Sequence, residues 1–282
     1  MSGPRFIDGL DGGTIALHHL AGEEVGKPLV LCHATGFCAG AYRELARHLS
    51  GPFLVLGLDF RGHGDSSRPD DGDFSWAKMA DELLLVLDEL EGPTALVGHS
   101  MGAAVALLAA RRRPEEVSFV YGYEPIVESG SLVREGQELI EASARRRRRF
   151  SSRAEALERY SSRPPLAFLQ AAVLSDYVTH GFFETEAGEI ELKCRPSDEA
   201  ATYAAPGKPS PEVLGDLAVP LRLGTGDGGR EIARELMAGD GELEVFQGLG
   251  HFGPLEAPGI VARAVLDFAR DLSRGAPGGP DR

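Results

Sequence analysis

The sequence predicts an α/β fold with a mostly parallel central sheet flanked by helices and a helical insertion. Short apolar runs alternate with helical patterns along the first half of the chain, and the alternation resumes near the C-terminus after a polar, arginine-rich stretch. Such alternation is typical of parallel sheets whose crossover helices cover both faces. We therefore expect one core domain over residues 1–126 and 209–274, an inserted cap over 127–208 and a disordered Gly/Pro-rich tail over 275–282.

Hydrophobic periodicity predicts the individual elements. The predicted strands are Thr14–Leu20 (an edge strand), Pro28–Ala34, Phe53–Asp59, Thr94–His99, Val117–Tyr123, Glu189–Cys194, Val219–Gly224 and Leu243–Gln247. The predicted helices are Ser75–Glu91, Met101–Arg113, Ala142–Phe150, Ala154–Tyr160, Arg230–Ala238 and Pro258–Arg274. A hairpin turn is predicted at Ala187–Gly188. The five arginines Arg145–Arg149 are expected on the solvated face of a cap helix.

Composition excludes several classes of function. The 282 residues are 43% hydrophobic and 26% charged, close to the average for globular proteins. A formal net charge of −14 disfavours nucleic acid as a partner, and no apolar run is long enough to span a membrane. Three cysteines without paired spacing indicate a reducing compartment. We expect a cytoplasmic monomer or homodimer whose partner is a small-molecule substrate.

The strongest motif is Gly98-His99-Ser100-Met101-Gly102, which fits G-x-S-x-G. A predicted buried strand precedes it and a predicted helix follows it, which is the context in which this motif forms a sharp turn. The two glycines permit that turn, and it lifts the Ser100 hydroxyl above the sheet. We expect Ser100 to be a nucleophile, with the N-terminus of the helix behind it.

A serine nucleophile needs a base, and His251 is the best candidate among the eight histidines. It lies in a glycine-rich loop just after the last predicted strand, where open α/β sheets place their sites. His251 follows Ser100 by 151 positions, which matches the chain order Ser then His for this type of site. His99, beside the serine, is expected to face away from the reactive centre.

These residues make the chain similar to the α/β-hydrolase fold family, over most of its length outside the insertion. The motifs that carry the resemblance are His33-Ala-Thr-Gly-Phe37, Asp59-Phe-Arg-Gly-His-Gly-Asp-Ser66, Gly98–Gly102 and Gly250-His-Phe-Gly253. The resemblance implies a capped serine hydrolase, similar to esterases and lactonases. It also implies that the insertion forms the cap over the site.

Two carboxylates compete for the third position of a Ser-His-acid triad. Asp227 matches the common G-x-x-D position of the family. Glu124 ends an apolar strand 24 residues after Ser100, similar to the acid of haloalkane dehalogenases and some lactone hydrolases of this fold. A carboxylate at the end of a buried strand is costly without a purpose, so Glu124 is favoured and Asp227 stays open as the alternative.

The remaining site residues follow from acyl-transfer chemistry and the resemblance together. Backbone N–H groups of Met101 and Thr35 are expected to stabilise a developing oxyanion, although Ala34 stands where the family usually has glycine. Phe37, Tyr177 and His180 are expected to line the substrate pocket. The resemblance assigns the turn with Asp59, His63 and Asp65 to bracing the Ser100 turn, so no metal and no cofactor is expected.

The predicted function is hydrolysis of an ester or lactone of a small, mostly apolar molecule through an acyl-enzyme. A serine at this position argues against the dehalogenase and epoxide hydrolase chemistries of the fold, which use aspartate. Hydrolysis of a C–C bond or a thioester remains an alternative, because the same triad supports it in the family. A protein that keeps the triad but only binds a small molecule is a second alternative.

Overall fold

A computed structural model describes residues 3–128, 133–212, 217–229 and 242–275. The predicted helix Arg230–Ala238 lies outside these described residues. Of the predicted tail only Gly275 is described, where it ends the last helix. Within the described residues, no helix is long and apolar enough to cross a membrane.

The described strands of the core form one eight-stranded sheet. They are β1 (Arg5–Asp8), β2 (Thr14–Ala21), β3 (Lys27–Cys32), β4 (Phe53–Leu58), β5 (Thr94–His99), β6 (Val117–Tyr123), β10 (Leu221–Thr225) and β11 (Glu242–Val245). Their order is β1-β2-β4-β3-β5-β6-β10-β11. The strands from β4 to β11 in this order are parallel, while β1 and β2 are antiparallel. The predicted α/β architecture is confirmed.

Helices cover the sheet and build most of the insertion. Those of the core are α1 (Arg43–Leu49), α2 (Trp76–Asp88), α3 (Met101–Arg112), α8 (Gly253–Glu256) and α9 (Pro258–Gly275). The insertion contains α4 (Val133–Ala144), α5 (Arg153–Ser161), α6 (Ala171–His180) and α7 (Pro196–Ala204). It also contains a small antiparallel sheet of β7 (Arg149–Phe150), β8 (Phe182–Glu184) and β9 (Ile190–Leu192), in the order β7-β9-β8. The predicted hairpin turn joins β8 to β9.

The sheet separates two apolar cores. Along β3, Leu29 and Leu31 pack into one core with α1, α9 and the insertion, whereas Val30 and Cys32 pack into the other with α2 and α3. Successive side chains of a strand point to opposite faces, so a strand buried on both faces is apolar throughout. This explains why continuous apolar runs in the sequence predict the central strands.

Two of the predictions about elements are wrong. The strand at Thr14–Leu20 is not at the edge, because β1 pairs outside it; β1 has only four residues and carries little periodic signal. The helix predicted over Ala142–Phe150 ends at Ala144, and Arg149–Phe150 pairs with β9 instead.

The run Arg145–Arg149 is therefore not one solvated helix face. The Arg146 side chain is 17% exposed and forms an ion pair with Glu199 on α7, at 2.9 Å between Nη1 and Oε2. It also donates to the Tyr177 hydroxyl. The other four side chains are 38–72% exposed. Local periodicity does not identify the single inward arginine, because its partners lie on other elements.

A buried ion pair ties the turn after β4 to α2. The Arg61 guanidinium donates to both carboxylate oxygens of Glu82, at 3.1 and 2.6 Å, and to the Asp73 carbonyl. The two side chains are only 3% and 6% exposed. Removing one partner of such a pair leaves a buried charge without compensation, which costs about 3–5 kcal/mol.

We predict that Glu82→Gln lowers the free energy of unfolding by several kcal/mol. The matched control is Glu89→Gln, because Glu89 pairs with Arg5 at the surface, where both side chains are about half exposed; there we expect no measurable change. Urea unfolding followed by circular dichroism measures both. Equal shifts of the two midpoints would contradict the prediction.

Candidate active site

The turn that carries Ser100 is built by close packing of α3 on β3 and β5. Ser100 has φ 55° and ψ −118°, an unusual conformation for a residue with a side chain. A Cβ on Gly98 would lie 2.4 Å from the Ala103 Cα, and one on Gly102 would lie 2.1 Å from the Cys32 carbonyl oxygen. Only glycine fits at these two positions, which explains their place in the motif.

Parallel strands bring three chain segments to this edge of the sheet. His99 on β5 pairs with Tyr123 on β6, and Tyr123 in turn pairs with Gly224 on β10. The residues just after β5 and β6, Ser100 and Glu124, therefore lie at the same carboxyl edge. The Ser100 N–H donates to the Tyr123 carbonyl at 2.9 Å, and this bond holds the carboxyl ends of β5 and β6 together.

His251 lies between these two residues. Its Nε2 is 3.0 Å from the Ser100 Oγ, and its Nδ1 is 2.6 Å from the Glu124 Oε2. A carboxylate can only accept, so Nδ1–H donates to Glu124 and leaves Nε2 to accept the Ser100 proton. Ser100 is buried, whereas the His251 side chain is 38% exposed.

The second oxygen of Glu124 is held by β10 and the turn after it. Oε1 accepts the Thr225 hydroxyl at 3.0 Å and the Gly226 N–H at 2.8 Å. Burial alone would raise the Glu124 pKa, but the hydrogen bonds from His251, Gly226 and Thr225 outweigh it, and the pKa lies below its ordinary value. Glu124 is thus a carboxylate at neutral pH.

Asp227, the alternative acid, is exposed and occupies a different position. Its carboxylate accepts the Gly248 N–H at 2.7 Å, and its own N–H donates to the Leu249 carbonyl at 2.9 Å. The two candidate acids therefore occupy different positions. The Glu124 carboxylate contacts the His251 imidazole, whereas the Asp227 carboxylate contacts the backbone of the loop that precedes His251.

The two backbone N–H groups expected to stabilise an oxyanion, those of Met101 and Thr35, lie at the start of α3 and in the loop after β3. Met101 begins α3, so its N–H has no intrahelical acceptor. Thr35 is 4% exposed and follows Ala34, whose N–H donates to the Tyr42 hydroxyl and whose carbonyl accepts from Phe37. Among the described residues, the hydrogen bonds leave both the Met101 and the Thr35 N–H groups without an acceptor. Alanine at position 34 is compatible with this loop.

A row of aromatic rings leads from His251 to Tyr177 in the insertion. The ring centroid of Phe252 is 5.4 Å from that of His251 and 5.5 Å from that of Phe37. Phe37 in turn is 4.9 Å from Tyr177, whose hydroxyl donates to the Gly36 carbonyl at 3.2 Å. Phe37 and Tyr177 thus belong to the group of rings next to the site. His180 instead packs against Gly40, at the start of the segment that leads to α1.

The acidic turn after β4 is internally satisfied. Asp59 accepts from the Ala39 and Asp65 N–H groups and from His18 Nε2, all within 2.8 Å. Lys193 donates to Asp65 at 2.6 Å. His18, Asp59 and Asp65 are close enough together to hold a cation, and His18 Nε2, both Asp59 oxygens and Asp65 Oδ1 take part in these hydrogen bonds. His63 lies outside this group and contacts the Arg61 carbonyl.

Sequence reasoning missed Thr225 and Tyr42. Thr225 is fully buried, ends β10 and is the second residue of the G-x-x-D segment. A hydroxyl at the end of an apolar strand, next to the expected carboxylate, was an available signal. Tyr42 lies 57 residues before its partner His99, and no local pattern relates two residues so far apart.

The model of the alpha/beta hydrolase family matches residues 29–264. The chain belongs to the alpha/beta hydrolase family. Its relatives include 2-(acetamidomethylene)succinate hydrolase of Mesorhizobium japonicum, which is 25% identical over 92% of this chain and 93% of its own length. Two other curated relatives match over only 29% and 36% of their own length.

Solved structures agree on the fold of this hydrolase. The structure of E-2-(acetamidomethylene)succinate hydrolase superposes with a TM-score of 0.82 at 20% identity, and covers 95% of this chain and 98% of that chain. A thermophilic esterase from Thermogutta terrifontis superposes with a TM-score of 0.70 at 20% identity, over 96% and 99% of the two chains. At these identities the likeness establishes the fold alone.

We predict that Glu124→Gln lowers kcat for an aryl ester about 10³-fold or more, because an amide does not hold His251 in the required tautomer. Asp227→Asn is the matched control, since that carboxylate contacts the loop backbone and not the imidazole; its kcat should stay within a few fold of wild type. Steady-state kinetics measures both. The reverse ranking would show that Asp227 is the acid.

We also predict that Thr225→Val lowers kcat about 10-fold, the equivalent of about 1.5 kcal/mol for a hydrogen bond to a charged carboxylate. Thr225→Ser keeps the hydroxyl and should restore activity. Both variants are read in the same assay. An equal loss in the serine variant would assign the effect to packing and not to the bond with Glu124.

Proposed function

We propose that this chain is a serine hydrolase that cleaves an ester or lactone of a small, mostly apolar molecule. The single observation that carries the proposal is the chain of contacts from Ser100 Oγ through the His251 imidazole to Glu124, with distances of 3.0 and 2.6 Å. Nucleophile, base and orienting acid within hydrogen-bond reach of one another are what acyl transfer requires.

In the proposed acylation step, Ser100 Oγ attacks the substrate carbonyl carbon as its proton moves to His251 Nε2. Negative charge develops on the carbonyl oxygen, and the N–H groups of Met101 and Thr35 stabilise it. The imidazolium that forms is stabilised by the Glu124 carboxylate. The C–O bond to the alcohol then breaks, and His251 Nε2 returns the proton to the leaving oxygen.

Deacylation repeats these steps with water as the nucleophile. His251 Nε2 accepts a proton from water, the hydroxyl oxygen bonds to the acyl carbon, and the bond to Ser100 Oγ breaks. The product acid leaves and Ser100 recovers its proton from His251. No cofactor takes part in this sequence, because each proton transfer ends on a group of the site or on a product.

The aromatic rings support an apolar acyl group. From His251, the rings of Phe252, Phe37 and Tyr177 follow one another at centroid distances of 5.4, 5.5 and 4.9 Å. The charged group near them, Arg146, is neutralised by Glu199 and hydrogen-bonded to Tyr177. We propose that the insertion over 127–208 acts as the cap that selects the substrate. We also propose that the protein is a monomer or a homodimer. The three free, buried cysteines support a reducing, cytoplasmic location.

A second candidate is hydrolysis of an amide bond. It is favoured by the relative named 2-(acetamidomethylene)succinate hydrolase, which aligns over nearly the whole chain. The same serine, base and oxyanion donors serve amides and esters. A succinate group is not part of the proposed substrate, because Arg146 already has a carboxylate partner in Glu199.

The test combines covalent labelling with turnover. A fluorophosphonate should add its mass to wild type at Ser100 and not to Ser100→Ala, and wild type should hydrolyse 4-nitrophenyl butyrate in the steady state. We expect Ser100→Ala to lower kcat by about 10⁴-fold or more. A parallel panel of a lactone, a thioester and an acetamidomethylene succinate ranks the bond types.

The outcomes separate the candidates. Labelling together with ester turnover supports the proposal. Labelling without turnover of any member of the panel would indicate a protein that keeps the triad and only binds its ligand. Turnover of the amide alone would favour the second candidate, and the absence of both labelling and turnover would overturn the serine hydrolase proposal.

A further inference from the structure

A buried line of hydrogen bonds runs behind the site, from the loop after β3 to His251. The Ala34 N–H donates to the Tyr42 hydroxyl oxygen at 3.0 Å. That hydroxyl is 2.7 Å from His99 Nδ1, and His99 Nε2 is 2.7 Å from the His251 carbonyl oxygen. Tyr42 and His99 are each 2% exposed, so water does not compete for these bonds.

The chemistry of the groups fixes the direction of every bond. A carbonyl only accepts, so His99 carries its proton on Nε2 and donates to His251. Burial, together with the smaller effect of the nearby His251, lowers the pKa of His99 to about 3, so His99 holds a single proton at neutral pH. Nδ1 is then an acceptor, the Tyr42 O–H donates to it, and the Tyr42 oxygen accepts the Ala34 N–H. Each donor in this line has one acceptor.

The two ends of the line are parts of the proposed machinery. Ala34 immediately precedes Thr35, whose N–H is the second oxyanion donor. The other end is the main chain of the base itself, since His99 holds the His251 carbonyl. His99 also directly precedes Ser100, and its ring is 5.1 Å from the His251 ring. The Tyr42 side chain thus contacts the backbone of the loop after β3, which we call the oxyanion loop. The His99 side chain contacts the backbone of the loop that carries His251, which we call the base loop, and His99 itself adjoins the nucleophile Ser100 in the chain.

We propose that Tyr42 and His99 are positioning residues that hold the oxyanion donor of Thr35 and the base His251 in register with Ser100. This inference rests on the proposed serine hydrolase function. Neither side chain touches the substrate. Their effect is on geometry, and a displacement of about 1 Å in an active site can cost about 100-fold in rate. The oxyanion donors and the base act on the transition state, so the loss belongs in kcat rather than in KM.

Other contacts hold the base loop but do not reach the oxyanion loop. The Tyr123 hydroxyl donates to the Gly250 carbonyl at 2.8 Å, and Glu256 accepts the Gly250 N–H at 3.0 Å. These bonds keep the loop folded when His99 is replaced. A variant at Tyr42 or His99 is therefore expected to lose alignment before it loses its fold.

The experiment measures kcat and KM for 4-nitrophenyl butyrate in Tyr42→Phe, His99→Phe, His99→Gln and the double variant Tyr42→Phe/His99→Phe. We expect kcat to fall about 10-fold in Tyr42→Phe and about 100-fold in His99→Phe, with KM within about twofold. Glutamine places an amide nitrogen near the Nε2 position, so His99→Gln should recover part of the loss by donating to the His251 carbonyl. Tyr203→Phe, a tyrosine outside the line, is the matched control and should keep wild-type kcat.

If the two residues act as one unit, the double variant is no worse than His99→Phe. Fully additive losses, a change in KM with kcat unchanged, or equal kcat for His99→Gln and His99→Phe would each overturn the proposal. Nitrogen-15 NMR of the wild-type imidazoles measures the tautomer of His99, and this measurement does not depend on whether the variants fold. We expect His99 with a proton on Nε2 and none on Nδ1, and the opposite tautomer would overturn the proposal as well.

The same measurements distinguish failure of the positioning role from failure of the proposed hydrolase function. Wild-type turnover with unaffected Tyr42 and His99 variants would overturn the positioning role and leave the hydrolase in place. Absence of Ser100 labelling and of turnover in wild type would overturn the serine hydrolase proposal, and with it the positioning role.

Discussion

The close approach of α3 to the sheet is the constraint on which the site depends. Because Gly98 and Gly102 have no side chains, the helix begins within van der Waals distance of β3 and β5. The chain then has to reverse at Ser100 with φ 55°, which costs of the order of 1–3 kcal/mol. That strain is offset by the apolar packing of α3, whose residues on the sheet side are fully buried, and by the bond from the Ser100 N–H to Tyr123.

A second strained residue sits directly across the sheet edge. Glu124 has φ 44°, and it follows β6 as Ser100 follows β5. The parallel pairing of these strands puts both residues beside the His251 loop, so both strained residues lie at the candidate active site. Glu124 is also longer than an aspartate at this position would be. Its two oxygens bridge from His251 to the Thr225 hydroxyl and the Gly226 N–H, which ties β6 to the end of β10.

The parts of this architecture that local rules govern could be predicted from sequence. Buried strands are apolar throughout, and the glycines of the Ser100 turn are dictated by contacts within a few residues and one neighbouring strand. The choice between Glu124 and Asp227 was open because it depends on a contact across 127 residues. The inward position of Arg146 and the contact of Tyr42 with His99 could not be predicted from the sequence for the same reason. Their partners Glu199 and His99 lie 53 and 57 residues away.

The loop after β3 is held by both the core and the insertion. From the core side, Tyr42 accepts the Ala34 N–H; from the insertion side, Tyr177 donates to the Gly36 carbonyl. The peptide of Thr35 lies between these two anchors. Tyr177 is itself fixed by Arg146, whose charge is balanced by Glu199 on α7. A polar network of this kind is stable in a buried setting only when each member has its partner. The arrangement of the insertion and the position of the Thr35 peptide are therefore coupled, since a shift of Tyr177 changes the support of the loop that carries Thr35.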